Sequence, residues 1–145
     1  MPKARPEPRR GRRPAPTWLK LDNAAKIYPA TRSSRWMAVF RLSVTLGEEI
    51  DRALLQQALV STLKRIPSFG YRLRRGLFWY YLDSHGGQPA IQEDAANPLT
   101  GFDLKQNDHF MFRVRVHHSR IALELFHALA DATGAMTFLM TLAAE

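Results

Sequence analysis

Two runs of strict alternation joined by a tight turn constrain this chain more than any other feature. Phe110, Phe112, Val114 and Val116 alternate with Met111, Arg113, Arg115 and His117, and Ile121, Leu123 and Leu125 alternate with Ala122, Glu124 and Phe126. A period of two marks strands that pack one face on a core. The connection at Ser119 and Arg120 is short enough to close the two strands into a β-hairpin. The second strand delivers His127, and Asp131 follows four residues later. An apolar helix is expected over residues 134–145, with Gly134 at its start and Thr133 or Asp131 available as its cap. A side chain at a strand end sits on a rigid scaffold, which is where chemistry is commonly displayed.

The remaining pattern mixes helix and strand. Residues 36–46 alternate, with Trp36, Ala38, Phe40, Leu42, Val44 and Leu46 on one face and Arg41, Ser43 and Thr45 on the other. Residues 51–66 form the clearest helix. Asp51 is its N-cap, Ile50 staples onto Leu55, and Leu54, Leu55, Ala58, Leu59, Thr62, Leu63 and Ile66 make one stripe that ends at Pro67. Tyr71–Arg75 and residues 77–82 read as short strands around Gly76, with Phe78, Trp79, Tyr80 and Tyr81 as packing aromatics, one of which could face a substrate. Residues 84–109 are loop-rich, and Ile91 starts one short strand. In the last helix Met136, Leu139, Met140 and Ala143 form the expected stripe, with Phe138 and Leu142 off it, so burial on more than one face is expected. The fold class is therefore α+β, a mostly antiparallel or mixed β-sheet with helices packed on it.

Composition bounds the function. A chain of 145 residues, 46% hydrophobic, can bury one real core. It has no cysteine, which removes disulfides and thiolate chemistry. No apolar run reaches the roughly 18 residues of a membrane helix, and no apolar segment follows the basic N-terminus, so the cytoplasm is the default location. The formal net charge of +8 is uneven. Residues 1–16 hold six basic groups (Lys3, Arg5, Arg9, Arg10, Arg12, Arg13) against Glu7, so five of the eight net charges belong to a segment expected to be a disordered tail. Residues 17–145 form the folded unit. The tail could attract nucleic acid or anionic lipid, but the mildly basic folded part does not make nucleic acid an expected partner. His117 and His118 sit at the hairpin turn and His85 and His109 in loops, without the further ligands a metal site needs. Gly86 and Gly87 lack the lysine and helix start of a phosphate loop, and no Gly-x-Ser-x-Gly elbow is present.

The segment from His127 to Asp131, between an apolar strand and an apolar helix, resembles the His-x-x-x-Asp segment of the chloramphenicol acetyltransferase-like acyltransferases and condensation domains. It is most similar to that of the bacterial alcohol O-acetyltransferases. Residues 21–29 (LDNAAKIYP), 65–73 (RIPSFGYRL) and 76–82 (GLFWYYL) are similar to the same group, so the resemblance covers about residues 18–145. There are two departures. Phe126 stands where many members have a second histidine, and Ala132 where many have glycine. If the backbone at 132 were left-handed, alanine would cost about 1–2 kcal/mol there.

The resemblance implies a function. His127 would be the general base, because a neutral imidazole, with an ordinary pKa of about 6.5, suits removal of a hydroxyl proton near neutral pH. Asp131 would support the motif loop by geometry. The donor would be acetyl-CoA or another acyl-CoA acting as co-substrate, the acceptor a small-molecule alcohol, and no metal or bound cofactor is expected. Such enzymes have two lobes with the base between them. The chain corresponds to the N-terminal lobe, so a second lobe, separately encoded or otherwise, is an expected partner. The chain alone is expected to be inactive, because one lobe cannot hold both reactants. Two further readings stand beside this one: a condensation-type domain that uses carrier-bound acyl groups, and a degenerate, non-catalytic lobe.

Overall fold

A computed structural model describes residues 18–20, 38–75, 77, 80–84, 86–99 and 103–145. The basic tail, residues 21–37 with Trp36 among them, Gly76, Phe78, Trp79 and His85 lie outside the described residues. Seven strands and two α-helices occur among them: β1 (Trp18–Lys20), β2 (Val39–Thr45), α1 (Arg52–Arg65), β3 (Tyr71–Arg75), β4 (Tyr80–Ser84), β5 (Gln92–Glu93), β6 (Phe112–His117), β7 (Arg120–Phe126) and α2 (Ala132–Ala144), with a 3-10 turn at Pro67–Gly70. The architecture is α+β.

The central sheet has the order β2-β7-β6-β5, antiparallel except for the parallel β5–β6 pair. A second, antiparallel sheet has the order β1-β4-β3. The β6–β7 hairpin turns at His118 and Ser119, one residue earlier than the alternation implied, and His118 takes a positive φ of 50°. Histidine is among the residues that enter that region more readily than most. β4 begins at Tyr80 rather than Leu77, and β5 at Gln92 rather than Ile91.

Alternation divides the central sheet into two unlike faces. On one, Phe40, Leu42 and Val44 of β2 lie beside Ile121, Leu123 and Leu125 of β7 and Phe112, Val114 and Val116 of β6, under both helices. Helix α1 starts as expected, with the Asp51 carboxylate accepting from the N–H groups of Ala53 and Leu54 at 2.7 and 3.0 Å. Leu55, Leu59 and Thr62 are its buried residues, and the Thr62 hydroxyl donates to the Ala58 carbonyl at 2.8 Å. Leu54, placed in the stripe by sequence, is instead 63% exposed.

Helix α2 corrects the sequence reading more sharply. Its buried residues are Ala135, Phe138, Leu139 and Leu142, while Met136 and Met140 are 47% and 52% exposed. The reason is aromatic packing. Phe138 stacks on Phe69 with ring centroids 4.0 Å apart and meets Phe112 edge-on at 5.4 Å. Seating a large ring in an aromatic cluster gains more than burying a flexible methionine, so the helix is rotated to bring Phe138 inward.

Candidate functional site

Register brings the motif to one end of the central sheet. β7 pairs with β2 from Arg120 opposite Thr45 to Phe126 opposite Val39. The ladder runs one residue further, because the His127 N–H donates to the Ala38 carbonyl at 2.8 Å. The chain then turns, with the Leu129 N–H donating to the Phe126 carbonyl at 2.9 Å. Phe126 and Ala128 are buried in a second apolar cluster with Tyr71, Leu82, Leu104 and Met111, and Leu129 packs against both clusters. These anchors on either side fix the backbone at 127.

The His127 side chain is half-buried, so it is not sealed inside the sheet. Its ring lies 4.6 Å from the Phe40 ring, tilted by 47°. Alternation places Phe40 on the apolar face of its strand. It is also the wall against which the imidazole rests, which sequence distance concealed because β2 and β7 are far apart in the chain.

Asp131 is the N-cap of α2. Its backbone is extended (φ −80°, ψ 179°), and Oδ1 accepts from the Gly134 N–H at 2.8 Å. The carboxylate is thus directed at the helix N-terminus, where a negative charge is favourable. Gly134 lies inside the first helical turn rather than in a turn before it. A Cβ there would meet Asp131 Oδ1 at 3.3 Å and the Ala130 Cβ at 3.4 Å, so glycine keeps the cap close. Ala132 is the first helical residue and is absent from the positive-φ positions (Leu99, Asp108, His109, His118), so the strain considered for an alanine there does not arise. The sheet thus holds His127 and the helix holds Asp131, and the turn between them joins the two.

A feature that pattern reading missed lies on the other face of the sheet. Arg41, Glu124 and Arg113 form one cross-strand row through β2, β7 and β6. Arg41 donates to Asp94 at 2.9 and 2.6 Å and to Glu124 at 2.9 Å, and the Arg113 Nε donates to Glu124 at 2.5 Å. The Arg41 guanidinium holds the Asp94 carboxyl well below the usual carboxylate range. Burial pushes Glu124 upward, but hydrogen bonds from Arg113 and Arg41 outweigh it and keep its pKa depressed. Burial lowers the pKa of Arg113, and the neighbouring Arg115 and Arg41 charges act in the same direction. One signal was available: the hairpin turn sets Arg113 opposite Glu124, inside otherwise apolar strands.

A cavity of about 470 Å³ opens elsewhere, lined among others by Leu46, Ile50, Leu54, Ala58, Ile121 and Leu142. Ile121 is the second residue of β7 and His127 follows its end, so the cavity lies roughly 20 Å along the strand from the motif. Glu48, Glu49, Asp51 and Glu145 also line it, and such acids oppose an anionic donor. Among the described residues, no cluster of His, Cys, Asp or Glu could hold a metal, and no helix is long and apolar enough to cross a membrane.

No protein-family model and no curated protein sequence matches the chain. Among solved structures, it is similar to a mutant of the starter condensation domain of rhizomide synthetase RzmA. That similarity has a TM-score of 0.67 at 12% identity, over 88% of this chain and 37% of the other. The chain therefore spans little more than a third of the length of that neighbour, and at this identity the likeness is one of fold: these residues adopt an arrangement of sheet and helices also found in a condensation domain.

Proposed function

We propose that this chain is the histidine-bearing lobe of an acyltransferase, with His127 as general base and Asp131 as the residue that positions the motif turn. The supporting observation is a half-buried imidazole held at the end of β7 in a fold shared with a condensation domain. In the reaction, His127 takes the proton from an acceptor hydroxyl as its oxygen attacks the thioester carbonyl. The tetrahedral intermediate collapses by breaking the carbon–sulfur bond, and the imidazolium returns the proton to the departing thiolate. Phe40 limits the rotation of the ring, and the capped helix holds the turn.

The preferred donor is an acyl-CoA and the preferred acceptor an alcohol, on the resemblance to alcohol O-acetyltransferases. A carrier-bound acyl donor is the second reading, favoured by the condensation-domain likeness. In either case this lobe supplies one wall of the reaction channel and a second lobe the other, so the chain alone turns over little.

The test must therefore not depend on turnover. Bromoacetyl-CoA carries an electrophilic carbon beside the thioester, and an imidazole nitrogen can displace its bromide. The chain has no cysteine to compete. Saturable labelling that maps to His127, and that outpaces labelling of the exposed His117 and His118, is expected. The His127→Ala variant should lose it. Labelling spread evenly over the histidines would overturn the assignment. Faster reaction of bromoacetyl-CoA than of bromoacetyl-pantetheine favours the CoA reading, and equal rates favour the carrier reading.

A further inference from the structure

The ionic layer on the second face of the central sheet has more guanidinium than its carboxylates can neutralise. Among the described residues, four arginines (Arg41, Arg113, Arg115, Arg120) surround two acids, Asp94 and Glu124. Every carboxylate oxygen is already in use. Asp94 Oδ1 accepts from Arg41 and the Ala95 N–H, and Oδ2 from Arg41 and Arg120. Glu124 Oε1 accepts from Arg41 and the Leu99 N–H, and Oε2 from Arg113.

Arg115 makes the longest of these ion pairs. Its side chain is nine-tenths buried, its Nε stands 3.5 Å from Glu124 Oε2, and that nitrogen has no hydrogen-bond partner among the described residues. A buried guanidinium N–H without an acceptor is costly, so an anionic acceptor within reach of the Arg115 Nε would be favoured. Register sets Arg115 opposite Ala122 on one side and Gln92 on the other. Ala122 is small, and the Gln92 amide, which donates to Asn107 Oδ1 at 3.1 Å, carries a second N–H. Arg120, 47% exposed, holds the Asp94 carboxylate of this layer at 3.1 Å from its solvent side.

We propose that this layer is a binding site for a phosphate-class oxyanion, with Arg115 as its principal ligand and Arg120 at its mouth. Among the described residues, four arginines against two carboxylates leave two positive charges, which match a phosphate dianion. The planar guanidinium fork presents paired donors to tetrahedral oxyanions. The proposal is independent of the acyl-transfer reading, because it uses neither His127 nor Asp131.

The experiment is a titration of the 145-residue chain with inorganic phosphate at constant ionic strength, read by thermal unfolding and by ³¹P line width. A saturable rise in Tm with one phosphate bound is expected. Arg115→Met should weaken the apparent affinity by about tenfold or more, the share of one charge-assisted contact. If Arg115→Met does not fold, Arg120→Gln at the exposed mouth carries the test, with a several-fold loss expected. Absence of a saturable response in the native chain, or unchanged affinity in the variant that folds, overturns the proposal. A parallel titration with glycerol phosphate identifies the source: tighter binding of the ester indicates an organic phosphate, and tighter binding of the inorganic ion indicates the free anion.

Discussion

At the scale of single residues, the segment from His127 to Asp131 joins an imidazole at a strand end to a helix cap. Asp131 accepts from the Gly134 N–H, so its removal should weaken the start of α2 as well as the turn that carries His127. Asp131→Ala is expected to cost about 1 kcal/mol in urea unfolding, and Asp131→Asn much less, because asparagine caps nearly as well as aspartate. An equal loss in both variants would assign the stabilisation to charge and not to the cap. The positions of both residues were legible in the sequence, because strand alternation ended at Phe126 and helical spacing resumed within a few residues. The ring beside His127 was not. Phe40 reaches it through β2–β7 pairing, and no local pattern specifies which strand lies alongside another.

At the scale of elements, the hairpin and α1 followed from period and capping, whereas the orientation of α2 did not. Its residues are apolar on several sides, so the sequence carries no strong preference for one face. Tertiary packing decides, through the contacts of Phe138 with Phe69 and Phe112. The two possible faces predict different mutational costs. Phe138→Ala should destabilise by about 3–5 kcal/mol, the usual cost of removing a buried aromatic side chain. Met136→Ala and Met140→Ala should each stay within about 0.5 kcal/mol of the native chain, as surface substitutions do. Chemical denaturation of the three variants checks the rotation directly. If Met140→Ala were as costly as Phe138→Ala, the helix would present the face that the sequence stripe suggested. The same reasoning applies to Leu54, which fits the spacing of α1 but stays 63% exposed at the wall of the cavity.

For the whole molecule, the central sheet joins a dry core on one face to a charged layer on the other, and only the first of these was legible. Alternation puts Arg41, Arg113, Arg115 and Glu124 on the face opposite the apolar one, but it reports polarity and not depth. Removing the carboxylate while keeping the shape exposes the difference. Glu124→Gln leaves Arg113 and Arg41 without their shared anion inside the fold and should cost about 3–5 kcal/mol, far more than a surface glutamate would. A loss below about 1 kcal/mol would return Glu124 to the surface class.

Acid should act on this same layer. Asp94 and Glu124 both have depressed folded-state pKa values, whereas unfolded carboxylates titrate near about 4. Groups of this kind stabilise the fold fully above the unfolded value and progressively less as pH falls below it toward the folded values. The Tm should therefore be nearly flat from about pH 7 to pH 5 and drop steeply below about pH 4. Asp94→Asn tests the cause as well as the shape of the curve. The variant should be less stable than the native chain at neutral pH, yet lose less on acidification, so that the two curves converge at low pH. Parallel curves would place the acid sensitivity in other carboxylates. Convergence would instead identify the arginine-rich layer as the sensitive element, because protonating its acids leaves adjacent guanidiniums to repel one another inside the sheet.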